Sequence, residues 1–215
     1  MSIEDLEEYI ANADLESLDA LLTANPQLAT TKTSLNVSPL MLACYYKQQA
    51  VTNILLKYTT NLTLFEAAAA DKNDVVENLI NFRPESIDYY ADDGFTALGL
   101  ACYFGHYEVA RYLILKGADV NRPSDNGYNV YPLHSAAAGN FTSISRMLID
   151  NGASVNVKQL AGTTPLHSAA QNGNLELLIA LLEQGAEVNI RMEGVKLPAD
   201  LAREKGYDDI AEILV

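Results

Sequence analysis

The groups able to do chemistry are few. Besides its carboxylates, the chain offers three histidines (His106, His134 and His167) and two cysteines (Cys44 and Cys102) as bases, nucleophiles or soft metal ligands. Nucleophilic catalysis needs a thiol or hydroxyl held against a base, and a phosphate site needs a glycine-rich loop opening a helix. Neither pattern occurs, and no His/Cys set has metal-ligand spacing. No catalytic, cofactor-binding or metal-binding residue is therefore expected, and no cofactor. What two histidines share is position. His134 and His167 sit in matching strings, Pro132-Leu133-His134-Ser135-Ala136-Ala137 and Pro165-Leu166-His167-Ser168-Ala169-Ala170, offset by 33 residues.

Recurring strings imply recurring elements. Pro165 suits the first position of a helix, where its missing N–H costs nothing, and Thr164 can cap that helix. Leu166, Ala169 and Ala170 give it one apolar face, and Gly173 permits the positive φ that stops it. Leu177, Leu178, Leu181 and Leu182 recur at helical spacing, Gly185 ends this second helix, and Val188-Asn189 lead into a turn. The 33-residue register holds to Gly152–Asn156, which match Gly185–Asn189; Asn140 stands where Gly173 does, Asn being next to Gly in tolerating the left-handed region. A helix pair this small cannot bury both faces alone and needs copies beside it.

The box, the period and the Gly-Ala-x-Val-Asn ending resemble ankyrin repeats. The resemblance implies an all-α solenoid of stacked helix-turn-helix units with short β-hairpin-like loops. A single domain is expected over 1–215: an N-terminal capping helix pair at 1–31, repeats at 32–61, 62–91, 92–124, 125–157 and 158–190, and a C-terminal capping repeat at 191–215. It also implies that His134 and His167 bond to neighbouring loops and fix the stack, and that His106, after a turn glycine, is structural. Cys44 and Cys102 fall at equivalent positions two units apart. Stacked helices lie 8–10 Å apart, which separates the thiols by about 20 Å, beyond the ~7 Å that a disulfide allows. Both should be free.

Departures from the pattern are informative. Lys47 takes the turn place usually given to Gly, at a cost of roughly 1 kcal/mol if left-handed. Leu64-Phe65-Glu66-Ala67-Ala68 aligns with Leu40-Met41-Leu42-Ala43-Cys44 after only 24 residues, so Tyr58–Thr63 should make a short connection where other units project a hairpin. Pro84–Asp88 replaces the usual ending. Gly99 lies inside a helix, which implies something packed close to it. Two extra residues within Asp125–Tyr131 predict a protruding hairpin.

The chain is acidic, with 28 Asp and Glu against 14 Lys and Arg. That balance disfavours nucleic acid and anionic membranes, both of which need a basic surface. An acidic start without an apolar run, no run near the ~18 residues of a membrane span, and only two cysteines point to the cytoplasm. In the family, residues just before each inter-helix turn line the concave groove, and hairpin residues add contacts. Those positions hold Tyr45, Tyr46, Tyr103, Phe104, Gln171 and Asn172, with Phe95, Tyr128 and Tyr131 on hairpins. Tyrosine is enriched at protein interfaces. The expected function is recognition of a protein or peptide through the groove and hairpins. The acidic surroundings, Asp92 and Asp93 among them, imply basic residues in the partner, and a monomer is expected. The alternatives are an accessory domain without its own ligand and, less well supported, an enzyme with an unrecognised site.

Overall fold

The computed structural model describes residues 2–215. The chain gathers into two compact units, Met1–Phe82 and Arg83–Val215. The first holds three helix pairs: α1 (Ile3–Asn12) with α2 (Leu15–Ala24), α3 (Pro39–Tyr45) with α4 (Gln49–Tyr58), and α5 (Leu64–Ala69) with α6 (Asn73–Phe82). The second holds four: α7 (Ala97–Phe104) with α8 (Tyr107–Leu115), α9 (Pro132–Ala138) with α10 (Thr142–Asp150), α11 (Pro165–Gln171) with α12 (Leu175–Glu183), and α13 (Pro198–Glu204) with α14 (Asp208–Ile213). Single 3-10 turns at Pro26–Thr30 and Pro84–Ser86 replace the glycine endings there.

Local chemistry sets these boundaries. Each pair turns through one left-handed residue: Ala13, Lys47, Asp71, Gly105, Asn140, Gly173 and Gly206, with φ between 53° and 82°. Lys47 is therefore left-handed as expected, at φ 55°. Gly117, Gly152 and Gly185 end the second helices. At Gly185 the glycine N–H bonds Leu182 O at 2.9 Å and the Ala186 N–H bonds Leu181 O at 2.9 Å, a paired closure that satisfies two orphan carbonyls. Leucines hold each pair together. In the first unit Leu6, Ile10, Leu18, Leu21, Leu22, Leu40 and Leu55 are fully buried, and each such side chain contributes about 2 kcal/mol.

Two expectations change in detail. At the third pair the 24-residue offset holds at the turn, Lys47 to Asp71, but the N-caps Ser38 and Thr63 are 25 residues apart, because α5 has 6 residues against 7 in α3. Glu66, not Leu64 or Phe65, governs the start of α5: it accepts the Thr63 N–H at 2.9 Å while its own N–H bonds Thr63 Oγ1 at 3.2 Å. The second change is at Thr164. It occupies the cap position, but its hydroxyl lies 2.9 Å from His167 Nδ1 instead of capping a backbone N–H.

Candidate partner-binding face

The loops between pairs form a row in the second unit. The hairpin before α7 closes through the Tyr90–Thr96 bridge, and the next closes through Ser124 N to Val130 O at 2.9 Å. Neighbouring hairpins then bond to one another: Asp125 N to Gly94 O, Leu160 N to Tyr128 O and Glu193 N to Ala161 O, at 2.8–2.9 Å. The lengthened 125–131 hairpin is thus tied on both sides, while its Tyr128 ring stands out, 58% exposed. Asn121 and Asn156 continue the ladder; each gives its amide to the carbonyl of the next helix-ending glycine, Gly152 and Gly185, and accepts an N–H two residues on.

The box histidines pin this row to the helices. His134 Nδ1 accepts the Tyr131 N–H at 3.3 Å, and Nε2 lies 2.9 Å from Thr163 O. His167 repeats this with the Thr164 N–H at 3.1 Å and Lys196 O at 3.4 Å. The arrangement needs the neutral ring with its proton on Nε2. Burial favours that form, lowering His134 to about 4 and lowering His167 as well. Cys44 and Cys102 are buried and unpaired; burial pushes the Cys44 thiol up to about 11 and Cys102 higher still.

The aromatic candidates divide. Phe95, Tyr103 and Phe104 come together: Phe95 and Tyr103 have ring centroids 6.4 Å apart, and Tyr103 meets Phe104 edge-on at 5.0 Å. A Cβ at Gly99 would meet the Phe95 ring at 3.5 Å, an ordinary contact, and the Thr96 hydroxyl at 3.3 Å, so the ring group does not itself require glycine there. Residues Ala97–Cys102 are all buried, and Tyr103, next in the helix, turns outward at 38% exposure. Phe104 stacks on His106 at 6.0 Å, and half-buried Tyr131 packs against His134 at 5.7 Å. Gln171 is exposed, but Asn172 spends its amide on the Ala137 and Ala138 carbonyls at 3.0 and 3.3 Å. Half-buried Tyr45 and 49%-exposed Tyr46 belong to the first unit.

Sequence reasoning missed a seam at the turns. In the second unit the residue after three of the left-handed positions, Phe141, Asn174 and Tyr207, reaches back to the preceding turn. Phe141 lies across Gly105 and Gly139, and Tyr207 lies across Gly173, where an added Cβ would meet the ring at 2.5 Å. Where Asn140 replaces glycine, Asn174 bonds its side chain at 2.6 Å instead. Two aromatics one residue past a turn, at Phe141 and Tyr207, were the available signal. A cleft of about 560 Å³ opens beside the Phe141 wedge, lined by Gly105, Tyr107, Phe141, Thr142, Ser143 and Ile144. Among the described residues no three His, Cys, Asp or Glu converge to hold a metal ion, and no helix is long and apolar enough to cross a membrane.

A family model for ankyrin repeats, in three copies, matches residues 8–124 and 122–192. The chain belongs to the ankyrin repeat family. Among similar proteins, this ankyrin repeat chain is 34% identical over 92 residues to the RelA-associated inhibitor of Mus musculus, covering 43% of this chain and 11% of that protein. It is 28% identical over 160 residues to a probable 26S proteasome regulatory subunit p28 of Saccharomyces cerevisiae, covering 74% of this chain and 60% of that one. It is 41% identical over 61 residues to the ankyrin repeat and KH domain-containing protein mask of Drosophila melanogaster, covering 28% and 2%. The matched stretches are thus between a fiftieth and three-fifths of the length of these relatives. Ankyrin repeats are in general protein–protein interaction modules.

Proposed function

We propose that this chain is a non-enzymatic recognition module that takes a segment of a partner protein against Phe95, Tyr103 and Phe104, with Tyr128 and Gln171 as flanking contacts. One observation carries the reading: Tyr103 follows six buried helical residues and turns its ring outward, into contact with two other rings. Core packing gives no reason for that cluster to face solvent, whereas a partner would. Tyr131, packed on His134, and Asn172, bonded to the Ala137 and Ala138 carbonyls, hold the repeats together instead, and Tyr45 and Tyr46 offer a separate contact in the first unit. Exposed Asp92 lies beside Phe95, and Asp93 accepts the Phe95 N–H at 3.1 Å, so a partner segment carrying Lys or Arg fits. Two buried, unpaired thiols fit a cytoplasmic setting. The accessory-domain reading draws support from the small share of each longer relative that is matched.

The test is capture from the source cell by the wild-type chain and by Tyr103→Ala combined with Tyr128→Ala. The double variant should weaken capture by about 2 kcal/mol or more, roughly 30-fold, with its thermal melt unchanged. Undiminished capture of every partner refutes the aromatic face.

A further inference from the structure

Arg122 lies in the hairpin between α8 and α9, and its surroundings differ from those of every other arginine. Arg83, Arg111, Arg146 and Arg203 each sit within 3.7 Å of a carboxylate, and Arg191 donates to Val195 O. The Arg122 backbone N–H bonds Asp119 O at 3.2 Å, but its side-chain Nε has no acceptor, although acids outnumber bases 28 to 14 in the chain. Its Nε is buried without a partner, and its Cζ stacks 4.7 Å from the centre of the Tyr90 ring. Tyr90 is itself fixed, donating its hydroxyl to Pro123 O at 3.1 Å while its backbone bridges to Thr96. The two hairpins are further tied by Asn126, which donates to Asp93 O at 3.1 Å. The guanidinium is therefore held on a ring anchored by its hydroxyl and its backbone, with its Nη ends as the remaining donors. A stacked guanidinium loses little further freedom when it pairs, and its planar fork matches a carboxylate.

We infer that Arg122 is a receptor for one carboxylate arriving on another molecule, the side chain of a Glu or Asp within an otherwise basic segment. The neighbouring charges argue for this chemistry. Asp92, Asp93 and Asp125 lie on the same two hairpins and repel a doubly charged phosphate more than a singly charged carboxylate. Basic residues on either side of the incoming acid offset that repulsion. The inference does not depend on the ring face of Tyr103, and its test needs no native partner.

The probe is the capped peptide acetyl-Lys-Ala-Glu-Ala-Lys-amide, titrated into the ¹⁵N-labelled full chain while the arginine Nε–H signals are followed. The control peptide has Gln in place of Glu. The Arg122 signal, assigned by its loss in Arg122→Lys, should move saturably with the Glu peptide and bind the Gln peptide at least about fivefold more weakly. The Arg146 signal, from an ordinary surface ion pair, should barely move. Equal response to both peptides, or equal movement at Arg146, would overturn the inference. So would inorganic phosphate displacing the Glu peptide at equal concentration.

Discussion

Gly173 and Gly185 share a left-handed backbone and differ in what stands beside it. Their φ values are +67° and +81°, so alanine at either incurs the left-handed penalty of about 1–2 kcal/mol. At Gly185 nothing lies within 4 Å of the new Cβ, and the penalty ends there. At Gly173 the Cβ would arrive 2.5 Å from the Tyr207 ring, which must shift. Tyr207 opens α14 and is 40% exposed, so the ring can yield only by giving up its contact with the preceding turn. Overpacking of this kind adds about 1–3 kcal/mol. Gly173→Ala should therefore destabilise by about 2–4 kcal/mol and Gly185→Ala by about 1–2, read as urea midpoints with unchanged slopes. Tyr207→Ala removes the obstacle, so the double variant Gly173→Ala/Tyr207→Ala should be more stable than the sum of its parts predicts. Equal losses at the two glycines, or strict additivity in the cycle, would refute the ring-over-glycine seam.

Other consequences are checked in the same way. Lys47→Gly relieves a left-handed lysine and should be neutral or stabilising by up to about 0.5 kcal/mol in urea melts, whereas Gly185→Val should destabilise by more than Gly185→Ala. His134 has a folded pKa of about 4 against an ordinary 6.5, so the unfolded chain binds the extra proton between those values. Its contribution is fully present above pH 6.5 and is lost as pH falls towards 4, on the order of 3 kcal/mol. Stability measured from pH 7 to 4 should fall less steeply in His134→Gln than in the wild type, and equal slopes would contradict the neutral pin. Thiol titration without reductant should find slow reaction in the native protein and two thiols after unfolding.

How much was legible in the sequence depended on whether the cause was local. The boxes at Pro132 and Pro165 mark helix starts because proline fixes φ there, and the left-handed Lys47 and Asn140 followed from register alone. The slip at α5 escaped because the deletion lies inside the helix, where Ala67–Ala70 read alike in either frame. Thr164 escaped because a neighbouring histidine competes for its hydroxyl. The Phe141–Gly105 and Tyr207–Gly173 wedges and the Arg122–Tyr90 stack join residues 32 to 36 positions apart, roughly one period, and no periodicity of apolar residues encodes them. Of the aromatic candidates, the sequence located Phe95 and Tyr103 correctly on the hairpin and helix end. It set Phe104 and Tyr131 apart as rings for which packing between units weighs as much as contact, and both do lean on histidines, while Phe104 also meets Tyr103.

The recognition face is tested most directly by site-specific photo-crosslinking in the source cell. Benzoylphenylalanine replaces Tyr103 in one variant and Ile179, exposed on α12, in another. Adducts with a partner should form from position 103, retain their identity on repeat capture and be absent or much weaker from position 179. Adducts from 179 alone would place recognition on the second helices and contradict the account.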